Sequence, residues 1–476
     1  MFTQDTICAT ATAQGVGALG IIRVSGKEAF SIVNTVFSGK DLNQAESHTV
    51  HYGFIMGRNG KQETQDSSSE ISNSAQSDRT EIIDEVMVSV FKAPKTFTTE
   101  DLVEITCHGS PYIQQEIIEV LIQNGARLAE PGEFTQRAFL NGRIDLAQAE
   151  AVADLIAAEN KASHKVALNQ MRGGISSELK DLREELIHFT ALIELELDFS
   201  EEDVEFANRE ELDALIQNIK FKIQSLLQTF DYGNAIKNGV PVAIIGKPNA
   251  GKSTLLNALL NEERAIVSDI AGTTRDTIEE TISIDGIRFR FIDTAGIRET
   301  RDEIEAIGVE RAKEKVEQAK IVIHLYEDDV EILRKLKDIL ADKVVFNLLS
   351  KIDKEGHNRE LDLVSLEKEH PNYHHFGLSV KANTNLDRLK TELVESIRSG
   401  VDEDAVIITN IRHKEALQNA LEALQNVSSG MKMGLTGDLL AFHLRDTLKH
   451  IGSITGQIEV DRDILGTIFG KFCIGK

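Results

Sequence analysis

The sequence predicts a multidomain α/β protein. A small N-terminal α+β domain leads into a helical bundle domain, and a doubly wound, mostly parallel domain is inserted within that bundle. Three observations carry this expectation. Apolar strand-like runs (Val240–Ile245, Ile321–Leu325, Val344–Leu349) alternate with helical patterns in the middle of the chain. Helical sequence flanks that stretch on both sides. The first 140 or so residues instead mix short strands with short helices. The expected boundaries are 1–140, 141–237, 238–400 and 401–476, and a length of 476 residues accommodates about three domains.

The N-terminal elements follow from local pattern. Leu19–Val24 reads as a strand and a short helix begins near Lys27. Thr49–Met56 and Ile82–Phe91 read as paired strands. Between them, residues 57–80 are polar and too poor in apolar side chains to fold, which predicts a disordered hairpin tip. Leu102–Cys107 is a further strand, and Gly109-Ser-Pro opens a helix to about Asn124.

From Pro131 the pattern turns helical and pauses at Asn141-Gly142. Asp145 is a good N-cap for a helix to Ile156. After Gly173-Gly174 a long helix runs to about Phe199, with Leu179, Leu182, Leu186, Phe189 and Ile193 on one stripe. An acidic turn (Glu201, Glu202, Asp203, Glu205) precedes a helix from Arg209 to Phe230, which Tyr232-Gly-Asn is expected to end. Beyond Ser399, helices are predicted over Arg412–Val427, Leu435–Ile451 and Asp463–Phe472.

Composition excludes some classes. Hydrophobic and charged contents of 41% and 27% are those of an ordinary globular chain. With 52 basic and 77 acidic residues (net charge −25), a nucleic acid would have to be met by a local patch. Cys8, Cys107 and Cys473 are scattered and odd in number, which points to a reducing, cytoplasmic setting without disulfide or zinc framework. No signal peptide and no membrane-spanning run is seen, and the terminal Cys-Ile-Gly-Lys fits a prenylation box poorly.

The chemistry centres on Gly246-x-x-x-x-Gly251-Lys252-Ser253, between a strand and a helix. Glycines let successive N–H groups face phosphate oxygens, the new helix adds its positive end, Lys252 reaches the β/γ-phosphates and Ser253 can hold Mg²⁺. Asn249, Ala250 and Thr254 complete the loop. A threonine-bearing stretch follows (Ser268, Asp269, Ile270, Ala271, Gly272, Thr273, Thr274), suited to completing Mg²⁺ coordination and sensing the γ-phosphate. A hairpin turning at Asp285-Gly286 then ends in Asp293, Thr294, Ala295 and Gly296. Ser350, Lys351 and Asp353 end a later strand, with Asp353 placed to accept both N–H groups of the guanine edge; Ser379, Val380 and Lys381 form a second guanine loop. Five such elements in order, each at a strand end, define a P-loop GTPase domain binding GTP. Serine at 350 is shorter than the usual Asn and forgoes an amide contact, which points to weaker guanine selectivity. Ile297 stands where Ras-like GTPases place a water-orienting Gln, so hydrolysis needs another group.

The loop Gly-Lys-Pro-Asn-Ala-Gly-Lys-Ser with Ala-Gly-Thr-Thr-Arg-Asp resembles the Era/Der/MnmE branch of translation-factor-class GTPases. Pro131-Gly-Glu-Phe-Thr-Gln-Arg-Ala-Phe-Leu-Asn-Gly, Asp145-Leu-Ala-Gln-Ala-Glu-Ala and the terminal Phe-Cys-Ile-Gly-Lys narrow the resemblance to the MnmE (TrmE) family, over essentially the whole chain except 57–80. The resemblance implies a homodimer through the N-terminal domain and an FAD-containing partner of the MnmG (GidA) type in a heterotetramer. It implies modification of carbon five of the tRNA wobble uridine, with formyl- or methylene-tetrahydrofolate as one-carbon donor and GTP hydrolysis as gate. It further implies K⁺ held by Asn249, Ser268, Ile270 and Thr273, Mg²⁺ by Ser253 and Thr274, and Glu305 as the water-orienting catalytic residue. Folate would be bound by Arg23, Glu104, Arg143 and Lys476; the family commonly has Lys where Arg143 stands. Taken from the residues alone, Glu305 reads as an exposed helix-start acid and Arg23 and Glu104 as surface charges. The alternative is a ribosome-assembly GTPase of the Era/Der sort; it requires a basic RNA-binding domain, whereas the C-terminal region reads as helices.

Overall fold

The computed structural model describes residues 5–58, 80–198, 208–262, 280–292, 313–327, 331–354, 366–398, 405–457 and Gly475. The chain forms two compact units, Met1–Ala153 with Thr455–Lys476, and Asp154–Ile454.

In the first unit, β1 (Ile7–Thr10), β2 (Leu19–Ser25), β3 (Phe37–Ser38), β4 (Thr49–Arg58), β5 (Thr80–Phe91), β6 (Leu102–His108) and β7 (Arg127–Leu128) form one sheet in the order β3-β4-β5-β6-β2-β1-β7. Its pairs are antiparallel except β1 with β7. Helices α1 (Ala29–Val36) and α2 (Pro111–Gln123) pack on one face, over Ile22, Val24, Val88, Val103 and Ile105. Pro111 suits the first turn of α2, where its missing N–H costs nothing. The strands β4 and β5 reach Arg58 and Thr80, further than the polar composition suggested; residues 59–79 lie outside the described residues. α3 spans Glu133–Leu140 and α4 Leu146–Ile156. The start of α4 is a reciprocal capping pair: Gln148 N donates to Asp145 Oδ1 (2.8 Å) and Asp145 N to Gln148 Oε1 (2.9 Å).

The second unit holds α5 (Lys161–Met171), α6 (Gly174–Asp198) and α7 (Arg209–Asn238), then β8 (Val240–Ile245), α8 (Lys252–Glu262), β9 (Glu280–Ile284), β10 (Ile287–Phe291), β11 (Ile321–Tyr326), α9 (Glu331–Lys335), β12 (Val344–Ser350), β13 (His374–Leu378), α10 (Leu386–Arg398), α11 (Ile411–Met433) and α12 (Gly437–Thr455). The sheet order is β13-β12-β11-β8-β10-β9, parallel except for the β9–β10 hairpin. β11 is buried along its whole length, as a parallel strand covered on both faces must be. Asp285 and Gly286 both have positive φ (47° and 80°), the geometry expected at a two-residue hairpin turn. The far end of this hairpin rests on α5: a Cβ on Gly286 would approach Ala162 Cβ to 2.8 Å, and Arg288 is ion-paired with Glu159.

The helices from both flanks pack together. α7 and α11 lie side by side, with Ile216, Ile219, Ile223, Leu417, Ala420 and Leu424 buried. Two sequence expectations need correction. α7 does not end at Tyr232-Gly-Asn but continues to Asn238. Gly233 is there for closeness rather than as a breaker, since a Cβ would fall 2.1 Å from the Ile408 carbonyl oxygen. On α6, Phe189 is only half-buried; Thr190 takes the inward position and donates its hydroxyl to Leu186 O (2.7 Å). α5 has no counterpart among the predicted elements. The acidic turn at 201–205 and the helix over 463–472 lie outside the described residues.

Candidate functional site

β8 ends where its neighbours β10 and β11 depart to opposite sides, the topological switch point at which open α/β sheets bind ligands. The 246–251 loop lies there. Gly246 has φ 146° and sits against β11 so closely that a Cβ would fall 2.2 Å from Leu325 O; Asn249 and Gly251 also have positive φ (64° and 100°). α8 begins immediately at Lys252, with Ser253 and Thr254 in its first turn. The Lys252 ammonium donates to Gly246 O and Lys247 O (both 2.8 Å), so it lies across the loop mouth. Burial, with the neighbouring Lys315 charge, pushes its pKa down. A desolvated ammonium beside a glycine-shaped loop at a helix start fits a phosphate chain. Ser253 is the described member of the expected Mg²⁺ pair and Asn249 of the expected K⁺ set.

The residues expected to recognise the base lie at the ends of β12 and β13. Ser350 is buried and its hydroxyl donates to Tyr326 O on β11 (3.1 Å). Lys351 has φ 57° and donates to Asn249 O (2.5 Å) and to the Glu327 carboxylate (2.5 Å). Ser379 Oγ donates to Asp353 Oδ1 (2.6 Å) and accepts from Ala382 N (3.1 Å). That bond from Ser379 is the main reason the Asp353 carboxyl lies below its usual value. Val380 packs on the core under the sheet, and Lys381 contributes a weaker attraction to Asp353. The loops from three strand ends thus meet: Asn249 to Lys351, and Asp353 to Ser379.

A second constellation lies in the N-terminal unit. Arg23 and Glu104 are direct cross-strand partners of β2 and β6, on the face away from α1 and α2, and form an ion pair (2.7 Å). The Arg23 guanidinium stands over the rings of Phe97 (5.5 Å) and Phe134 (5.6 Å). Arg143 stands over the same Phe97 ring (5.0 Å) and donates to Phe97 O (2.6 Å); burial lowers its pKa. Two guanidiniums, one carboxylate and an aromatic face suit a planar ligand that carries both anionic and N–H groups. Gly475 packs against the end of β1, where a Cβ would meet Thr10 O at 2.0 Å.

Ser268, Asp269, Ile270, Ala271, Gly272, Thr273, Thr274, Asp293, Thr294, Ala295, Gly296, Glu305, Cys473 and Lys476 lie outside the described residues. The sequence reading missed Glu327 and Phe97. The signal for Glu327 was its place just beyond an apolar parallel strand, at the ligand edge of the sheet; Phe97 had no distinguishing pattern.

The family model described as MnmE helical domain matches residues 146–473, and that described as GTP-binding protein TrmE N-terminus matches residues 6–143. A relative from Cytophaga hutchinsonii, named tRNA modification GTPase MnmE, is 51% identical over 99% of this chain and 98% of its own. One of the same name from Flavobacterium johnsoniae is 48% identical over the full length of both chains. Among solved structures, the G domain of the T. maritima FeoB iron transporter is 26% identical over 33% of this chain and 97% of its own, with a TM-score of 0.24.

Proposed function

This chain belongs to the MnmE family of tRNA modification GTPases, and from that premise we propose that it is a K⁺-activated GTPase that acts with an FAD-containing MnmG (GidA)-type partner. Together they install an aminomethyl-type (carboxymethylaminomethyl) group on carbon five of the tRNA wobble uridine. The protein is a GTP hydrolase of tRNA modification.

The observation that carries the reading is the 246–253 loop at the switch point, with Lys252 across its mouth. Loop N–H groups and Lys252 would hold the β/γ-phosphates, and Asp353, oriented by Ser379, would accept from the guanine edge. Ser253 with Thr274 would hold Mg²⁺; Asn249, Ser268, Ile270 and Thr273 would hold K⁺. When bound, the two cations neutralise charge on the phosphates. Asp293 and Gly296 would sense the γ-phosphate, and Glu305 would orient the attacking water. Arg23, Glu104, Arg143 and Lys476 would bind the tetrahydrofolate that supplies the one-carbon unit; the Arg23–Glu104 pair and the shared Phe97 ring support that assignment.

In this reading residues 1–140 bind folate and dimerise, 141–237 and 401–476 form the helical domain, and 238–400 form the GTPase domain. The setting is cytoplasmic; no helix among the described residues is long and apolar enough to cross a membrane. The test is GTP turnover in matched K⁺ and Na⁺ buffers, with gel filtration in GDP plus AlF₄⁻. Turnover faster in K⁺, with a more compact dimer, is expected. Turnover indifferent to the ion would overturn the K⁺ mechanism.

A further inference from the structure

Glu327 follows β11 at the ligand edge of the sheet. Its Oε1 accepts from Lys351 Nζ at 2.5 Å and its Oε2 from Lys354 Nζ at 3.3 Å. The same Lys351 ammonium donates to Asn249 O, 102 residues away at the apex of the phosphate loop. We propose that Glu327 is a positioning residue for nucleotide binding: its carboxylate holds Lys351 so that the base-recognition loop and the phosphate loop are tied together. The inference rests on the reading of this site as a guanine-nucleotide site.

A lysine ammonium is a mobile, strongly hydrated charge on a four-carbon stem, and one neutral carbonyl does not fix its direction. A carboxylate on the other side does, through a charge-assisted bond at a site where both partners are about 70% covered: the exposed fractions are 31% for Lys351 and 27% for Glu327. Next, both linked backbones are in the left-handed region, Asn249 at φ 64°, which asparagine tolerates, and Lys351 at φ 57°, which a lysine keeps only when its surroundings hold it. The Glu327–Lys351–Asn249 chain is such a hold. Finally, Ser350, beside Lys351, turns its hydroxyl to Tyr326 O within the sheet rather than toward the phosphate loop. The neighbouring lysine therefore makes the cross-loop bond, and Glu327 is what aims it. By accepting from Lys354 as well, the carboxylate also offsets the repulsion between two lysines beside the base.

The experiment measures mant-GDP affinity, and KM and kcat for GTP, in the full chain carrying Glu327→Gln, Glu327→Asp, Lys354→Ala, Lys351→Ala, and Glu327→Gln with Lys351→Ala. Glu327→Gln is expected to weaken mant-GDP binding and raise KM by about fivefold or more, with kcat at saturating GTP within about twofold of wild type. Glu327→Asp should fall between the two, and Lys354→Ala should bind like wild type. The double variant should bind no more weakly than Lys351→Ala alone, because the carboxylate supports the nucleotide through that lysine. Glu327→Gln binding like wild type while Lys351→Ala is weakened would overturn the proposal, as would losses that add in full. Should Glu327→Gln melt at a much lower temperature, Glu327→Asp decides: wild-type affinity there also overturns it. Wild-type protein that does not bind mant-GDP at all would remove the guanine-site reading itself, an outcome separate from any role of Glu327.

Discussion

Ser379 and Asp353, 26 residues apart and on different loops, are joined by a 2.6 Å hydrogen bond from the serine hydroxyl to the carboxylate. The bond does two things. It aims the carboxylate, and it holds its pKa below the usual value. A depressed carboxyl stays charged to lower pH, so the guanine contact proposed for it would be fully present above its ordinary titration range and lost as pH falls through the lowered value. Ser379→Ala should therefore weaken mant-GDP binding at pH 7 by roughly threefold or more. It should also move the acid limb of binding to higher pH. Titrations from pH 7 to pH 4 check both; overlapping curves would refute the role.

Arg137 is 9% exposed and bridges Asp5, Glu100 and Glu133 at 2.9, 3.1 and 2.9 Å. Arg137→Ala leaves those carboxylates facing one another, and the expected cost is about 3–5 kcal/mol of N-terminal unit stability. Burial alone would raise the Glu133 carboxyl, but bonds from Arg127, the Glu130 amide and Arg137 outweigh it and the net shift is downward. Its contribution to stability is therefore present above the ordinary carboxylate range and fades as pH falls through the lowered value. Thermal unfolding at pH 7 and at pH 4 reads both effects: wild type should lose stability at pH 4, and the variant should lose less between the two.

Gly233→Ala sets a methyl 2.1 Å from a backbone oxygen that belongs to a pinned segment: Ile408 N donates to Thr229 Oγ1 (3.0 Å), and Gln170 Nε2 donates to Ile407 O (2.8 Å). The helix propensity gained by alanine is about 1 kcal/mol, against an overpacking cost at the upper end of about 1–3 kcal/mol for a contact this short. A lowered unfolding midpoint in urea is expected. An unchanged or raised midpoint would mean that α7 and the segment can part freely.

Cys8 and Cys107 are buried, and burial, as the largest cause, pushes both thiols up to about 11. At pH 8 they are overwhelmingly protonated and shielded, so iodoacetamide should leave both unlabelled in the folded protein and label both in urea. Peptide mass mapping distinguishes them from Cys473. Fast labelling of either in native buffer would contradict the burial.

Much of the second unit was legible because parallel strands leave little choice. The strand read as Ile321–Leu325, which runs to Tyr326, is buried on both faces, and Asp285-Gly286 offers a left-handed turn at low cost. One misread position is decided by a distant contact and another stretch by a short cap. Gly233 is a breaker by propensity and a close-approach residue by packing against Ile408. Lys161–Met171 is helical though its stretch gave no strong stripe; its start is instead set by a capping box between Asn160 and Ser163. In the candidate site, Lys252, Asp353 and Ser379 were predicted because each belongs to a short motif of its own. Glu327 was missed because its partner Lys351 lies 24 residues on, and nothing near either of them in sequence pairs the two.

The segment Ile407–Thr409 returns the chain to α7 only after all of β8–β13 has been made. The apolar side of α7, which α11 covers, is thus finished long before its cover exists. At ribosomal rates of about 5–20 residues per second, the interval between the end of α7 at Asn238 and the start of α11 at Ile411 is roughly ten to thirty seconds. During synthesis this side of α7 stays uncovered until the chain beyond β13 has emerged.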